Sequence, residues 1–164
     1  MDTVDKVNNL SKFDFISIFG NVFEKTEWIA EKCYQLKPYN NIDELISKMI
    51  EIFENTEKEK HLEILNSHPD LAIAKELTED SKNEQKNASL NQCTDQEFIE
   101  FNNLNKKYKK KFSFPFIIAV KGKNKEEILN IFRQRIANNI NLEFEEAKKQ
   151  VKKIASFRLN EIIK

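Results

Sequence analysis

Glycine and proline are nearly absent from this chain, with two glycines and three prolines among 164 residues. All-β folds depend on these residues in their many tight turns, so their scarcity favours helices. Apolar residues make up 40% of the chain, and this length is enough for a packed interior in one domain. The composition therefore predicts an all-α fold, a single compact domain of about eight helices over residues 1–164.

Apolar residues recur at helical spacing along most of the chain, and small polar residues stand where helices would begin. The clearest stripe runs from Ile42 to Phe53. Ser81 with Glu84, and Thr94 with Glu97, each fit a capping box at a helix start. The other predicted helices cover 11–20 with Ser11 as N-cap, 21–37, 58–65, 71–77, 124–136 with Asn124 as N-cap, and 142 onward.

One apolar run does not show helical spacing. Phe114–Val120 is almost continuously apolar and is followed closely by Gly122. Periodicity does not separate a short buried strand from an extended segment that crosses the core. Both interpretations of this run are open at this point.

A histidine next to a proline interrupts the helical pattern in the first half of the chain. The chain has two histidines, and His68 directly precedes Pro69. Proline fixes its own φ and disfavours helical geometry at the preceding residue, so a helix is expected to end here. An imidazole titrates near neutrality and suits proton transfer, and His68 is therefore a candidate catalytic residue. A purely structural hydrogen bond to a helix end is the alternative. The other histidine, His61, lies in a charged stretch and is predicted to be a surface residue.

Two further charged residues have both structural and functional interpretations. As the fourth residue of a capping box, Glu84 would bond back to Ser81, and this structural role is favoured when the motif is taken alone. Arg158 is one of three arginines in a chain that otherwise uses lysine. A planar guanidinium holds a carboxylate or a flat heterocycle at two points, although a surface ion pair is the more common role for such a residue.

Charge and motif content argue against several classes of function. Lys plus Arg equals Asp plus Glu at 27 each, whereas nucleic-acid binders usually carry a basic excess. The one dense basic run, Lys106–Lys111, falls at a predicted helix C-terminus, where cations are favourable. Cys33 and Cys93 lack metal-type spacing and are predicted to be reduced thiols. No apolar run is long enough to span a membrane, and the first residues lack a signal-peptide pattern. A cytoplasmic protein with no bound metal is expected.

Taken together, these motifs resemble the 2-oxo-4-hydroxy-4-carboxy-5-ureidoimidazoline (OHCU) decarboxylase family, and the resemblance extends over nearly the whole chain. Each motif is weak alone, but their order and spacing are specific. The matching segments are Phe19-Gly20-Asn21-Val22, Trp28-Ile29-Ala30, His68-Pro69-Asp70-Leu71-Ala72, Ser81-x-x-Glu84-Gln85, Phe112-x-Phe114-Pro115-Phe116-Ile117, Val151-Lys152-Lys153-Ile154 and Arg158-Leu159.

The resemblance implies a helical, cofactor-independent decarboxylase that converts OHCU to (S)-allantoin in urate degradation and is usually a homodimer. By position, His68 would transfer the proton, and Glu84 and Arg158 would complete the catalytic and substrate-holding set. The residues implied to line the pocket are Pro69, Ser81, Gln85, Phe116, Ile117, Ile118, Ala119 and Val120.

The chain departs from the family pattern at three glycines, which are Ile73, Ser89 and Ser113 here. Each loss restricts the backbone, and Ile73 is close to the loop that carries His68. Two rival functions are compatible with the same residues. One is a related enzyme acting on another small ureido or carboxylate substrate, and the other is a non-catalytic helical interaction module.

Overall fold

A computed structural model describes residues 3–72 and 78–163 of the chain. The described residues form nine α-helices and one short 3₁₀ turn at Leu90–Gln92, so the all-α fold class is confirmed. None of the described helices is long and apolar enough to pass through a membrane. The helices are α1 (Thr3–Asn8), α2 (Lys12–Phe19), α3 (Glu27–Gln35), α4 (Ile42–Glu54), α5 (Lys58–Ser67), α6 (Glu79–Asn87), α7 (Asp95–Phe112), α8 (Lys125–Arg135) and α9 (Ile140–Ile163).

The helix starts predicted from capping residues are mostly confirmed. Ser11 caps α2, and Asn124 forms a complete capping box at the start of α8. At the start of α7, the Glu97 carboxylate accepts the backbone N–H of Thr94 and also pairs with Lys125. These bonds favour the charged form and lower the pKa of Glu97 from 4.5 to about 2.

The start of α3 differs from its prediction. The helix begins at Glu27, six positions after the expected start at Asn21. Glu24 and Lys25 have φ values of 42° and 57°, in the left-handed region that a right-handed helix excludes. The two residues form part of a turn between α2 and α3, which apolar spacing alone does not reveal.

Contacts divide the described residues into two compact units. The first comprises the described residues up to Ile64 together with those from Lys152 onward. Its core includes the predicted stripe of α4, in which Leu45, Met49 and Phe53 are fully buried. The ring of Phe23 stacks on that of Phe53 with a centroid distance of 5.0 Å. Aromatic pairs of this kind add to the stabilisation from apolar burial.

His61 lies in this core, and its prediction as a surface residue is wrong. Its side chain is buried, and Nε2 lies 2.6 Å from the carbonyl oxygen of Phe53. Its ring also meets the Phe53 ring edge-on at 4.9 Å. The reason is helical phase, because His61 shares a face of α5 with the buried residues Ile64 and Leu65. The charged neighbours of His61 occupy the opposite face.

The second unit comprises Leu65–Val151, and the apolar run Phe114–Val120 crosses it. Every residue of that run is buried, and none of them forms a strand. The rings of Phe114 and Phe116 pack edge-on against Tyr108 of α7, at 5.9 and 5.5 Å. Of the two interpretations of this run, the segment that crosses the core is therefore confirmed, and the strand is not.

Candidate active site

His68 stands where the sequence predicted a helix break. Helix α5 ends at Ser67, and the His68 N–H donates to the carbonyl oxygen of Leu65 at 3.2 Å. The His68 side chain is 8% exposed, and Pro69 beside it is half-buried. The imidazole is therefore held at the end of a helix and largely shielded from bulk water.

The segment after His68 is anchored by Gln85 of α6. The side-chain oxygen of Gln85 accepts the N–H of Ala72 at 3.1 Å, and its nitrogen donates to the carbonyl oxygen of Asp70 at 3.2 Å. Ala72 has a φ of 55°, a left-handed conformation that costs an L-residue about 1–2 kcal/mol. Both ends of the Gln85 amide thus hold the backbone of the histidine segment, residues 68–72. Residues 73–77, which include Ile73 and most of the predicted helix 71–77, lie outside the described residues.

Helix α7 supplies two more anchors to the same segment. Asn105 Nδ2 donates to the carbonyl oxygen of Leu71 at 3.1 Å, and Lys109 Nζ pairs with Asp70 Oδ2 at 2.7 Å. Neither residue was among the predicted site residues. Asn105 is 4% exposed and lies on the buried face of α7. A single amide within an apolar stripe is the signal that would have identified it, because buried polar groups need hydrogen-bond partners.

Helix α6 begins three residues earlier than predicted. Its N-cap is Thr78, whose hydroxyl accepts the N–H of Ser81 at 3.2 Å. Ser81 is therefore buried in the first turn, and Glu84 lies a turn further on and is half-buried. The predicted capping box of Ser81 with Glu84 is wrong, because the N-cap of α6 is Thr78 and not Ser81. Glu84 therefore lies beyond the N-terminal capping positions of this helix.

The segment Phe116–Val120 is held by residues of α8 and α9. Arg135 Nη1 donates to the carbonyl oxygen of Ile117 at 2.7 Å, and its guanidinium lies 4.4 Å from the Phe116 ring centroid. The Ala119 N–H donates to Gln150 Oε1 at 3.0 Å. The geometry of this backbone is thus fixed by side chains from two helices.

Arg135 belongs to a buried polar network that sequence reasoning missed. Its Nε lies 2.5 Å from Glu143 Oε1, and the side chains are 8% and 0% exposed. The Tyr108 hydroxyl donates to the same carboxylate oxygen at 3.0 Å, and burial raises the pKa of that phenol well above its usual range. Compensation of a buried ion pair depends on additional hydrogen bonds; here they come from the Tyr108 hydroxyl and the Ile117 carbonyl, whereas Arg135 Nη2 makes none to the described residues.

Arg158 lies in the first unit, near the end of α9. Its Nη2 pairs with Glu24 at 2.8 Å, and its Nη1 donates to the carbonyl oxygen of Asn21 at 2.8 Å. The Arg158 and Glu24 side chains are 5% and 0% exposed, so the ion pair is buried and the alternative of a surface pair does not hold. Glu24 is a partner that sequence reasoning missed, and the two residues are 134 positions apart. The guanidinium is held in a fixed orientation by these contacts.

The second unit contains most of the predicted site residues. Helix α7 contacts both the histidine segment and the segment Phe116–Val120. Within about one turn of that helix, Asn105 and Lys109 bond to the histidine segment and Tyr108 packs against Phe116. Ser81, Glu84 and Gln85 lie on α6, which is tied to the histidine segment through Gln85. Over residues 3–72 and 78–163, no group of three or more His, Cys, Asp or Glu side chains is arranged to hold a metal ion.

Comparison with known proteins identifies the family of the chain. A family model described as OHCU decarboxylase matches residues 8–160. The chain belongs to the OHCU decarboxylase family. The match runs through both compact units.

Two relatives and one solved structure illustrate the similarity. The chain is 40% identical to a uric acid degradation bifunctional protein of Bacillus sp. (strain TB-90), and the match covers all of this chain and 33% of the relative. The chain thus spans about a third of that protein. It is 35% identical to a 2-oxo-4-hydroxy-4-carboxy-5-ureidoimidazoline decarboxylase of Haloferax volcanii, over 97% of this chain and 95% of the relative. A crystal structure of (S)-allantoin synthase superposes with a TM-score of 0.80 and 28% identity, over all of this chain and 54% of that one.

The structure gives a physical reason for two of the glycines in the OHCU decarboxylase pattern. Ser89 and Ser113 replace them, with φ values of 63° and 66°. Ser113 caps the C-terminus of α7, and Ser89 precedes the 3₁₀ turn. Both positions are left-handed, which glycine adopts without a steric penalty. The backbone at both positions therefore adopts the left-handed conformation that glycine favours, although serine occupies them.

Proposed function

We propose that the protein decarboxylates OHCU to (S)-allantoin, with His68 transferring the proton and Glu84 and Arg158 holding the substrate. The observation that carries this proposal is a buried histidine on an anchored segment, in a chain of the OHCU decarboxylase family. The reaction is proposed to need no cofactor. We further propose that the enzyme is cytoplasmic and acts as a homodimer.

The chemistry requires a proton donor and a means of stabilising negative charge. When the bond to the carboxylate breaks, CO₂ leaves and the electron pair stays in the conjugated ring, delocalised toward a carbonyl. A ring carbon then takes up one proton, and the face on which it arrives sets the configuration of the product. A positioned histidine typically contributes about 10²–10⁴-fold to such a transfer.

Arg158 is suited to stabilising the developing charge. Its contacts with Glu24 and Asn21 orient the guanidinium before substrate binds, so little reorganisation is needed during the reaction. Donors that are oriented in advance are usually the largest single contribution to catalysis of this type. Glu84, on α6, is proposed to hold the amide-like N–H groups of the substrate, because an ionised carboxylate is a strong acceptor.

The rest of the pocket is proposed to consist of Pro69, Ser81, Gln85 and the segment Phe116–Val120. Arg135 and Gln150 already bind the Ile117 carbonyl and the Ala119 N–H. Polar contacts from this segment to the substrate are therefore expected from other backbone groups, such as those of Ile118. Gln85 holds the histidine segment as well, so its replacement is expected to affect both binding and turnover.

The test is to add the purified protein to freshly generated OHCU and to follow both its decay and the optical activity of the allantoin formed. Accelerated decay to a single enantiomer, lost in His68→Asn, is the expected result. Decay at the spontaneous rate to racemic product would refute the proposed reaction. A His68→Asn variant with near-normal turnover would refute the role of the histidine.

A matched pair on α6 tests the role of Glu84. Glu84→Gln keeps the size of the side chain and removes its charge, and it is expected to reduce kcat/KM at least tenfold. Glu79→Gln makes the same change at an exposed position in the first turn and should leave kcat/KM unchanged. Equal effects of the two substitutions would contradict a specific role for Glu84.

A further inference from the structure

We propose that Asn105 and Lys109 of α7 are positioning residues, which set the orientation of His68 by holding the backbone that follows it. This inference rests on the proposed function, because its kinetic consequence is a slower proton transfer by His68. Neither residue is proposed to touch the substrate. Their contacts are with Leu71 and Asp70, which follow the histidine by three and two positions.

The backbone on the N-terminal side of His68 is fixed by α5. The His68 N–H bonds to the Leu65 carbonyl in the last turn of that helix, and Pro69 restricts the geometry on the other side. The path of the chain beyond Pro69 then contributes to the orientation of the imidazole. Residues 70–72 of that path have no regular secondary structure, and side-chain anchors hold them.

The anchors fall on three consecutive residues. Asp70 binds Lys109 through its carboxylate, Leu71 binds Asn105 through its carbonyl, and Ala72 binds Gln85 through its N–H. Gln85 also holds the Asp70 carbonyl. Because α6 supplies Gln85 and α7 supplies the other two anchors, the segment is held from two helices. Of the side-chain anchors from the described residues, removing the two α7 contacts would leave those of Gln85.

The carboxylate side of the contact between Lys109 and Asp70 is largely buried. The Asp70 side chain is only 12% exposed, although Lys109 is 44% exposed. The second carboxylate oxygen of Asp70 is buried and makes no hydrogen bond to the described residues. Lys109 therefore provides the main compensation for a charge that has little access to water. Without that lysine, the carboxylate would be expected to turn toward solvent and pull the segment with it.

A matched pair of lysine variants separates loss of the anchor at Asp70 from a general loss of positive charge. Lys109→Met removes the ion pair with Asp70, whereas Lys110→Met removes the charge of the next lysine in the same basic run, whose side chain is exposed. We expect Lys109→Met to lower kcat about tenfold or more with KM nearly unchanged, because small displacements of a catalytic group are costly. Lys110→Met should match the wild type, and Lys109→Arg should recover most of the lost kcat. A normal kcat in Lys109→Met, or a rise in KM alone, would overturn the proposal.

Asn105 is tested in the same way against Asn103, which lies on the exposed face of α7. Asn105→Ala is expected to lower kcat, and Asn103→Ala is not. If Asn105→Ala does not fold, because that residue is buried, the lysine pair still decides the question.

A spectroscopic measurement tests positioning without relying on activity. The chain has two histidines, so its imidazole NMR signals are few, and His68→Asn assigns them. In Lys109→Met the signals of His68 should shift while those of His61 stay in place, and Lys110→Met should shift neither. Unchanged His68 signals would overturn the proposal. If wild-type protein fails to accelerate OHCU decay but His68 shifts as expected, the proposed reaction fails and the positioning role stands.

Discussion

Removing the charge of Glu143 is expected to destabilise the protein strongly. The Glu143 carboxylate is fully buried and accepts hydrogen bonds from Arg135, Tyr108 and Asn138. Glu143→Gln preserves the shape of the side chain but leaves the guanidinium, whose side chain is 8% exposed, without its counter-charge. It also places an amide NH₂ against one of the donors. Breaking a buried ion pair at one partner typically costs about 3–5 kcal/mol.

That loss is large compared with the whole free energy of unfolding, which is about 5–15 kcal/mol for a typical domain. For a chain of this size it corresponds to a fall in Tm of about 6–20 °C. The assay is urea unfolding followed by far-UV circular dichroism, which reports directly on the helices, with linear extrapolation to water.

Glu145→Gln is the matched control, because Glu145 lies on the same helix, is 68% exposed and pairs with Lys148. Its effect should stay below about 1 kcal/mol, as for most surface pairs. A second check replaces both buried partners, with Arg135→Met and Glu143→Leu together, and should recover part of the lost stability. Equal costs for Glu143→Gln and Glu145→Gln would refute the reasoning.

Three further predictions follow from local features. Ser89→Gly and Ser113→Gly should each raise the free energy of unfolding by up to about 1 kcal/mol, because relief of left-handed strain exceeds the added chain entropy; a lower urea midpoint would contradict this. The lowered pKa of Glu97, about 2 against 4.5, means that its contribution to stability is complete above pH 4.5 and is lost as the pH falls toward 2. The stability difference between wild type and Glu97→Gln, measured by urea unfolding at each pH, should shrink over that interval, and a constant difference would be inconsistent with the capping bond. Burial raises the pKa of Cys33 to about 12, so in folded protein iodoacetamide should modify the half-buried Cys93 first, as mass spectrometry can show.

The features that the sequence predicted correctly depend on interactions within a few residues. The stripe of α4, the caps at Ser11, Thr94 and Asn124, and the break at Pro69 all involve groups no more than a few positions apart. Helical periodicity and capping bonds are local, so the order of the residues is sufficient to reveal them. The family resemblance has a related origin, because it rests on short motifs in a specific order.

Tertiary structure alone decided which side chains meet. Asn105 and Leu71 are 34 residues apart, Tyr108 and Glu143 are 35 apart, and Arg158 and Glu24 are 134 apart. Nothing in the local pattern links the members of such a pair, and only the packing of helices places a donor next to its acceptor.

The structure also corrected two predictions that rested on neighbouring residues. The predicted cap at Ser81 is replaced by Thr78, which is also a common N-cap residue. His61 has charged neighbours along the chain, but the face of α5 that packs into the core includes it. The sequence by itself therefore determined the all-α class, most of the helices and the family, and it suggested the candidate catalytic residues. The tertiary structure determined which polar groups are buried and what holds them, because burial and pairing depend on distant parts of the chain.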